Sequence, residues 1–300
     1  MSQVLVYGET AQQVAELAAA ARSVDADAVA VALPGDADDA SKTGVQKVLA
    51  LEGVDTVEQA AEALARYALE GGFAGLMAAN SVRGQTLAAL VAGYADAPMD
   101  TDATKLSAKD GGWSIERLLF GGAAVREERM GGFAVATVCP GVFDALSENG
   151  ASAPVEALAI GSPAGWRIVD EKPIERTGDD ITKADRVLGI GMGFKSDDDL
   201  TLARRLAEAL GAGLGGTRGI VEERHWLDDY IGISGLSIHP DLYVAAGISG
   251  SVQHTVGVRD AKVVVAINAD KDAAMFKAAD YGIVGDFREV APLLIDALAS

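Results

Sequence analysis

The chain has 300 residues and a formal net charge of −19, from 44 acidic and 25 basic side chains. This length predicts two domains or one large one. Because 49% of the residues are hydrophobic and 23% are charged, the chain has enough apolar surface to build a core. The negative balance argues against a nucleic-acid-binding protein, since the phosphate backbone would be repelled.

The single cysteine, Cys139, excludes an internal disulfide and any metal site built from several cysteines. The amino-terminal sequence lacks the basic and long apolar regions of a signal peptide. No window reaches the roughly 20 apolar residues that a membrane span needs. The three histidines, His225, His239 and His254, lie at no metal-ligand spacing. We therefore expect a soluble cytoplasmic protein, not an integral membrane protein, with no metal site.

Apolar runs and amphipathic stretches alternate through the first part of the chain. The runs predict buried strands at 4–7, 28–33 and 75–80, and the amphipathic stretches predict helices at 11–22, 57–69 and 85–94. This alternation predicts an α/β domain with a parallel sheet covered on both faces. Three further apolar runs, at 113–120, 123–128 and 133–138, are separated by Gly-Gly turns and predict an antiparallel β-meander.

The α/β pattern begins again after a less periodic stretch at 147–185. We place the domain boundary there, giving an N-terminal α/β domain at 1–185 and a doubly wound parallel-sheet domain at 186–300. Its predicted strands are 186–191, 242–246 and 263–268, its helices are 196–210 and 289–299, and 211–219 is predicted to be a glycine-rich loop.

The charge is divided unevenly between the two predicted domains. Residues 1–185 hold 14 basic and 28 acidic side chains, and residues 186–300 hold 11 and 16. The second domain is thus nearer neutral, at −5 against −14, and it has the richer glycine loops. These features predict that the functional site lies in the second domain.

The turn at 189–196, Gly-Ile-Gly-Met-Gly-Phe-Lys-Ser, joins a predicted strand to a predicted helix. Glycines let a backbone approach a phosphate, and a helix N-terminus offers free N–H groups. However, Ser196 is predicted to cap this helix, and the aspartates at 197–199 complement its dipole and would repel a phosphate. Both a nucleotide-binding loop and a plain tight turn fit this sequence.

Three other segments of the second domain can be interpreted in two ways. The glycines of 211–219 could form a pocket floor from which Arg218 projects, or a flexible loop with a solvated arginine. Residues 231–235 could form a wall around a planar ligand, or an ordinary turn. In 247–254, backbone N–H groups and His254 could hold a phosphate or a carbonyl, or His254 could be a structural histidine.

Three strings of the second domain, in order, carry a family resemblance. They are YVAAGISGSVQHTVG from residue 243, VVAINAD from residue 264 and ADYGIVGD from residue 279. They resemble the alpha subunit of electron transfer flavoproteins closely over 186–300 and more loosely over the first domain. The resemblance implies a C-terminal domain that binds FAD without a covalent bond.

Residues that match the family's flavin-contacting positions follow from this resemblance. They are Thr217, Arg218, Ile231, Gly232, Ile233, Ser234, Ser249, Gly250, Ser251, Val252, Gln253, His254, Asn268, Asp286 and Phe287. Arg218 and His254 would lie at the flavin N1–C2=O edge and Ser234 at N5, so that these three tune the potential. The N–H groups after Ser249 would hold the pyrophosphate, and Asn268 and Asp286 the adenosine half.

The resemblance also implies a function and partners. The chain would be an electron carrier without a substrate reaction of its own, completed by a beta subunit. It would accept electrons from dehydrogenases, such as the acyl-CoA dehydrogenases of fatty acid beta-oxidation, and pass them to a respiratory-chain, quinone-linked or ferredoxin-linked acceptor. A flavin-poor nucleotide-binding or structural subunit of a redox complex is the alternative. A nicotinamide-dependent enzyme is disfavoured, because the sequence has no GxGxxG.

Four residues at three places depart from the family's pattern. Met192 stands where the family commonly has arginine, Ile233-Ser234 where it has Gln-Thr, and Thr217 where it often has serine. Met192 lacks a cation and Ile233 lacks an amide, which predicts a changed FAD affinity or potential. Separately, the acidic excess suggests the hypothesis of a high-salt cytoplasm.

Overall fold

The computed structural model describes residues 2–146, 152–161, 165–166, 168–172 and 180–299. The chain divides into two compact units, Met1–Glu171 and Lys172–Ser300. The boundary expected after residue 185 stays a prediction, and the less periodic stretch around it lies partly outside the described residues. Within the ranges described, no helix combines the length and the apolar character needed to cross a membrane.

The first unit alternates strands and helices before a strand-rich second half. Its elements are β1 (Ser2–Tyr7), α1 (Ala11–Ser23), β2 (Ala26–Ala32), α2 (Ala37–Ser41), β3 (Lys47–Glu52), α3 (Ala61–Glu70), β4 (Gly75–Ala79), α4 (Val82–Ala95), β5 (Met99–Lys109), β6 (Gly112–Leu119), β7 (Ala124–Met130), β8 (Ala134–Val138) and β9 (Val155–Ala159). A 3₁₀ turn at Val57–Ala60 leads into α3.

The described strands of this unit form one sheet in the order β7-β6-β5-β8-β4-β1-β2-β3-β9. Strand β1 is central and pairs in parallel with both β2 and β4. Its residues alternate between two apolar clusters: Val6 packs in the cluster that includes α1, and Leu5 in the one that includes Leu64 of α3. The predicted parallel sheet with both faces covered is therefore confirmed.

The meander is present, but one predicted member lies elsewhere. Strands β5, β6 and β7 pair antiparallel, and β5 was not predicted. The run predicted at 133–138 as the third meander strand becomes β8, which pairs in parallel with β4 and β5. The antiparallel prediction for this run was wrong because its partners are distant in sequence. The Gly-Gly turn before it carries no information about them.

The second unit is a doubly wound α/β fold, as predicted. Its elements are β10 (Arg186–Ile190), α5 (Asp197–Leu210), β11 (Gly213–Gly216), α6 (Arg218–Glu222), β12 (Leu242–Ala246), α7 (Val252–Thr255), β13 (Val263–Asn268), β14 (Tyr281–Val284) and α8 (Phe287–Leu298). The strands are all parallel, in the order β11-β10-β12-β13-β14.

The predicted glycine-rich loop at 211–219 is mostly regular structure. Its glycines form the edge strand β11, and Arg218 begins α6. The loop prediction was wrong because pairing with β10, such as Val187 opposite Gly213, stabilises a strand that glycine disfavours locally. Ile231 and Ile181 also pack against the face of β11, where a Cβ at Gly215 would meet both side chains.

The start of α5 is fixed by an ion pair whose carboxylate is buried. Ser196 caps the helix, as predicted, and accepts a hydrogen bond from the Asp199 N–H. Asp199 is only 4% exposed, and its Oδ2 accepts from the N–H groups of Lys195 and Ser196 at 2.8 and 3.1 Å. Arg288 of α8 donates to both carboxylate oxygens, at 2.7 and 2.9 Å. Asp199 thus joins the turn after β10 to α8.

The pKa of Asp199 is lowered to about 2, first by the hydrogen bonds from Arg288 and then by those from the Lys195 and Ser196 backbone. Because this is below the value of 3.8 in the unfolded chain, the charged carboxylate stabilises the fold above pH 4. That stabilisation is lost as the pH falls from about 4 towards 2.

Replacing Asp199 with asparagine should therefore lower the free energy of unfolding of the second unit by about 2 kcal/mol at pH 7, since it breaks a charged pair of which one partner is buried. Asp198→Asn, at an exposed position in the same helical turn, is the matched control and should change it by less than about 0.5 kcal/mol. Urea unfolding at pH 7, 4 and 2.5 measures both. The difference between Asp199→Asn and the wild type should shrink at the lowest pH, and a difference that does not change with pH contradicts the assignment.

Candidate functional site

The turns that follow β10 and β12 touch backbone to backbone. Gly193 donates its N–H to the Gly247 carbonyl at 3.0 Å, and a Cβ at Gly193 would lie 2.8 Å from the Gly247 Cα. Gly247 has a φ of +61°, so both positions favour glycine. Strand β11 lies on one side of β10 and β12 on the other. The contact therefore marks the switch point of the sheet, where open α/β sheets bind ligands.

A cleft of about 480 Å³ opens at this contact. Met192, Gly193 and Gly247 line it beside many of the residues selected from sequence. The predicted residues that line it are Thr217, Arg218, Ile231, Gly232, Ile233, Ser234, Ser249, Ser251, Gln253, His254 and Asn268. The fold thus brings together side chains that are up to 51 positions apart.

A second cavity of about 260 Å³ adjoins the cleft, because Gly193, Gly247 and Asn268 line both. The predicted residues Asp286 and Phe287 line this second cavity. Together the two cavities form a groove along the carboxyl edge of β10, β12 and β13. A groove of this length suits an extended ligand better than a compact one.

Two predicted contact residues are absent from the described linings of both cavities. Gly250 has a φ of +83°, and a Cβ there would overlap the backbone of Met275, so this glycine makes the turn possible. The side chain of Val252 is 57% exposed. Either residue could offer its backbone N–H to a ligand, but neither places a side chain in the groove.

The cleft contains hydrogen-bonding groups that the protein itself does not use. The Thr217 Oγ1 atom is buried and has no hydrogen-bond partner. No acceptor among the described residues takes the N–H groups of Ser249, Gly250, Ser251 or Val252. A buried polar atom without a partner costs about 1–3 kcal/mol, so the Thr217 hydroxyl indicates a ligand that satisfies it, and the N–H groups beside it are available to the same ligand.

Arg218 brings a cation to the rim of the cleft. Its Nε donates to Glu222 Oε2 at 2.7 Å, and this carboxylate raises the pKa of the guanidinium further. The guanidinium carbon lies 6.0 Å from the centre of the Tyr230 ring. Arg218 is therefore held by neighbours on two sides while most of its side chain stays accessible to a ligand.

The segment 231–234 forms one wall of the cleft, as its functional interpretation requires. Gly232 donates its N–H to the Leu236 carbonyl at 3.0 Å, and Ile233 donates to the Gln253 carbonyl at 2.8 Å. The hydroxyl of Tyr230 lies 3.0 Å from Ser234 Oγ. These bonds hold the wall against α7 and set the position of the Ser234 hydroxyl.

His254 lines the cleft, but both of its ring nitrogens contact groups of the protein. It is only 5% exposed, and its two ring nitrogens contact Tyr243 Oη at 2.8 Å and the Ile231 carbonyl at 3.1 Å. Burial lowers the pKa of His254, so the ring is neutral at pH 7. The expected place of His254 at the flavin edge stays a prediction, and a neutral ring brings no positive charge there. Arg218 is a cation that lines the cleft.

Asn268 and Asp286 both stabilise turns at the carboxyl edge. Asn268 donates to the Ile248 carbonyl at 2.9 Å and accepts from the Asp270 N–H at 3.0 Å. Asp286 caps α8 by accepting from the Arg288 N–H at 2.8 Å. Each side chain therefore positions the groove wall, and both residues line the second cavity.

Sequence reasoning missed several lining residues, chiefly Tyr230, Asp270 and Gly219. No local pattern marks Tyr230, which reaches the cleft because it bridges to Gly216 at the end of β11. Asp270 directly follows β13, so a search of strand ends could have found it. Among the described residues, no group of His, Cys, Asp and Glu could hold a metal ion.

Comparisons with known proteins agree with this geometry. The family described as "Electron transfer flavoprotein FAD-binding domain" matches residues 180–259, and "Electron transfer flavoprotein domain" matches residues 4–162. The chain is 35% identical over 315 aligned positions to Protein FixB of Escherichia coli O17:K52:H18, covering 99% of this chain and 98% of FixB.

A second relative has a more explicit name. The "Putative electron transfer flavoprotein subunit YdiR" of Escherichia coli K12 is 36% identical over 253 residues, which covers 83% of this chain and 81% of YdiR. The family match spans both units, and the FAD-binding part falls on the unit that contains the groove. The chain belongs to the electron transfer flavoprotein alpha-subunit family, and FAD is its cofactor.

Proposed function

We propose that the chain forms a heterodimeric electron carrier with an electron transfer flavoprotein beta subunit. The carrier accepts electrons from dehydrogenases, such as acyl-CoA dehydrogenases, and passes them to a respiratory-chain, quinone-linked or ferredoxin-linked acceptor. It has no substrate reaction of its own. Family membership over nearly the whole chain supports the proposal. A cytoplasmic location is part of it, and the single cysteine, Cys139, suits a reducing compartment.

The observation that carries the proposal is the set of unused polar groups in the groove. A dinucleotide pyrophosphate needs several N–H donors close together, and the N–H groups of 249–252 have no acceptor in the described protein. The unpartnered Thr217 hydroxyl lies in the same cleft, beside Arg218. FAD would satisfy both sets at once, which an apolar ligand could not do.

The proposed arrangement places the isoalloxazine ring in the larger cavity. Arg218, Ser234 and the Ile231–Ile233 wall would contact the ring there, and His254 would pack behind the wall. The adenosine half would lie in the smaller cavity, near Asn268, Asp286 and Phe287. The two adjoining cavities support an extended cofactor, because Gly193 and Gly247 leave a continuous path between them.

Bound FAD supplies reversible electron uptake, and the protein sets where that charge is stabilised. Arg218 holds a permanent positive charge at the cleft rim, and its ion pair with Glu222 restrains the guanidinium. A cation close to the flavin favours the reduced form, in which negative charge develops. Ser234, held by Tyr230, offers a hydroxyl beside the ring.

One feature of the cleft keeps the flavin-poor alternative open to test. Met192 and Ile233 line the cleft and are 43% and 59% exposed, so two apolar side chains border it where the family commonly has polar ones. A complex purified with its native beta subunit that takes up no FAD, even with excess added, would favour the alternative over the carrier.

Thr217→Val tests the unpartnered hydroxyl. If the hydroxyl bonds FAD, its loss should weaken FAD binding about 3- to 10-fold, the value of one hydrogen bond. Thr201→Val is the matched control, since Thr201 lies on α5 and bonds only the Asp197 carbonyl in its own helix. Fluorescence titration of FAD measures both. Equal affinity in wild type and Thr217→Val would contradict this contact.

Met192→Arg tests whether the missing cation limits FAD binding. A charge-assisted hydrogen bond is worth about 1.5–3 kcal/mol, so the arginine variant should bind FAD at least roughly tenfold more tightly. Met192→Leu keeps the volume without adding charge and serves as the control. An arginine variant that binds no more tightly than the leucine variant would remove the proposed role of this position.

A further inference from the structure

A chain of contacts connects the centre of the second sheet to the wall of the cleft. Tyr243 of β12 has no exposed surface, and its hydroxyl lies 2.8 Å from His254 Nε2. On the other side of the ring, His254 Nδ1 lies 3.1 Å from the carbonyl oxygen of Ile231, the first residue of the wall. Both ring nitrogens are therefore used inside the protein.

The partners determine which nitrogen carries the proton. A carbonyl oxygen only accepts hydrogen bonds, so Nδ1 must be the protonated nitrogen that donates to Ile231. In the neutral ring, Nε2 is then an acceptor, and the Tyr243 hydroxyl is the donor that faces it. Burial of the ring favours this neutral form.

The sheet prevents the Tyr243 hydroxyl from moving away. A Cβ at Gly189 would overlap this hydroxyl, so the Tyr243 side chain occupies the space above β10 that only glycine leaves open. Tyr243 belongs to the apolar cluster that also contains Ile231, Ile238 and Ile248. Among the described residues, His254 Nε2 is the hydrogen-bond partner of the Tyr243 hydroxyl.

We propose that Tyr243 is a positioning residue for the flavin site: its buried hydroxyl donates to His254 Nε2 and, together with the Ile231 carbonyl that accepts from Nδ1–H, holds the ring in one tautomer and one orientation, and His254 in turn anchors the 231–234 wall. This inference rests on the proposed function, because it assigns Tyr243 an effect on the bound flavin without contact between the two. It divides the electrostatic roles in the cleft. His254 holds the wall as an uncharged ring whose N–H is donated to Ile231, and Arg218 supplies the positive charge.

The wall is the part of the site that this arrangement controls. The Ile231 carbonyl accepts a hydrogen bond from His254 Nδ1–H. The Ile233 N–H donates to the carbonyl of Gln253, the residue before His254. A ring that rotates, or that takes the other tautomer, can no longer donate to Ile231. The Ser234 hydroxyl and the apolar ring contacts would then lose their fixed position beside the flavin.

The tautomer of His254 can be measured in the full-length chain without FAD. The chain has three histidines, so a long-range ¹H–¹⁵N correlation spectrum is simple, and His254→Gln identifies the His254 signals by their loss. We expect a single Nδ1–H tautomer in wild type and a mixture of tautomers in Tyr243→Phe. Tyr281→Phe removes an exposed hydroxyl from the same unit and should match wild type. An Nε2–H tautomer or a charged ring at pH 7 in wild type would overturn the proposal.

The flavin potential of the complex with the beta subunit provides the second measurement. Loss of the fixed wall, which places the Ser234 hydroxyl beside the ring, should shift the midpoint potential of Tyr243→Phe to more negative values, while Tyr281→Phe stays at the wild-type value. An unchanged potential in Tyr243→Phe overturns the effect on the flavin. If instead neither wild type nor the variants bind FAD, the proposed function fails, and the tautomer measurement still decides the role of Tyr243.

Discussion

The groove depends on one close contact, between the glycine turns after β10 and β12. Gly193 and Gly247 approach so closely that a Cβ on Gly193 would press into the backbone opposite. This contact brings the ends of the two central strands together and leaves their N–H groups and carbonyl oxygens near the ligand space. The Asp199 carboxylate holds the first turn by accepting hydrogen bonds from the Lys195 and Ser196 N–H groups, and Arg288 donates to the same carboxylate. The cofactor-binding edge therefore depends mainly on backbone geometry, and the side chains support it.

Charge is distributed unevenly between the two parts of the chain. Residues 1–185 carry an excess of −14, and the second part of the chain, which contains the groove, carries only −5. Among the described residues that line the cleft, the buried His254 contributes no charge, Arg218 is the cation and Asp270 is the carboxylate. Arg218 is itself paired with Glu222, which limits the strength of its field. A high-salt cytoplasm stays a hypothesis drawn from the charge alone, because nothing in the groove requires it.

Local sequence patterns predicted the α/β class, the Ser196 cap and most of the strands, since each depends on neighbouring residues. They failed where a distant partner decides the outcome. Strand β8 is inserted in parallel between β4 and β5, and glycine-rich β11 is stabilised by β10. The site residues came from the family resemblance, and most of them line one groove. The sequence could not show that Asp199 contacts Arg288, 89 positions away. Nor could it show that the two ring nitrogens of His254 contact Tyr243 and Ile231.

The most direct test is the crystal structure of the complex with its beta subunit, grown with FAD. The account predicts density for one FAD along the carboxyl edge of the second sheet, with the flavin ring beside Arg218 and the adenosine beside Asp286. The pyrophosphate should accept hydrogen bonds from the N–H groups of 249–252. Density for FAD elsewhere, or a groove closed by side chains with FAD bound only to the beta subunit, would contradict the account.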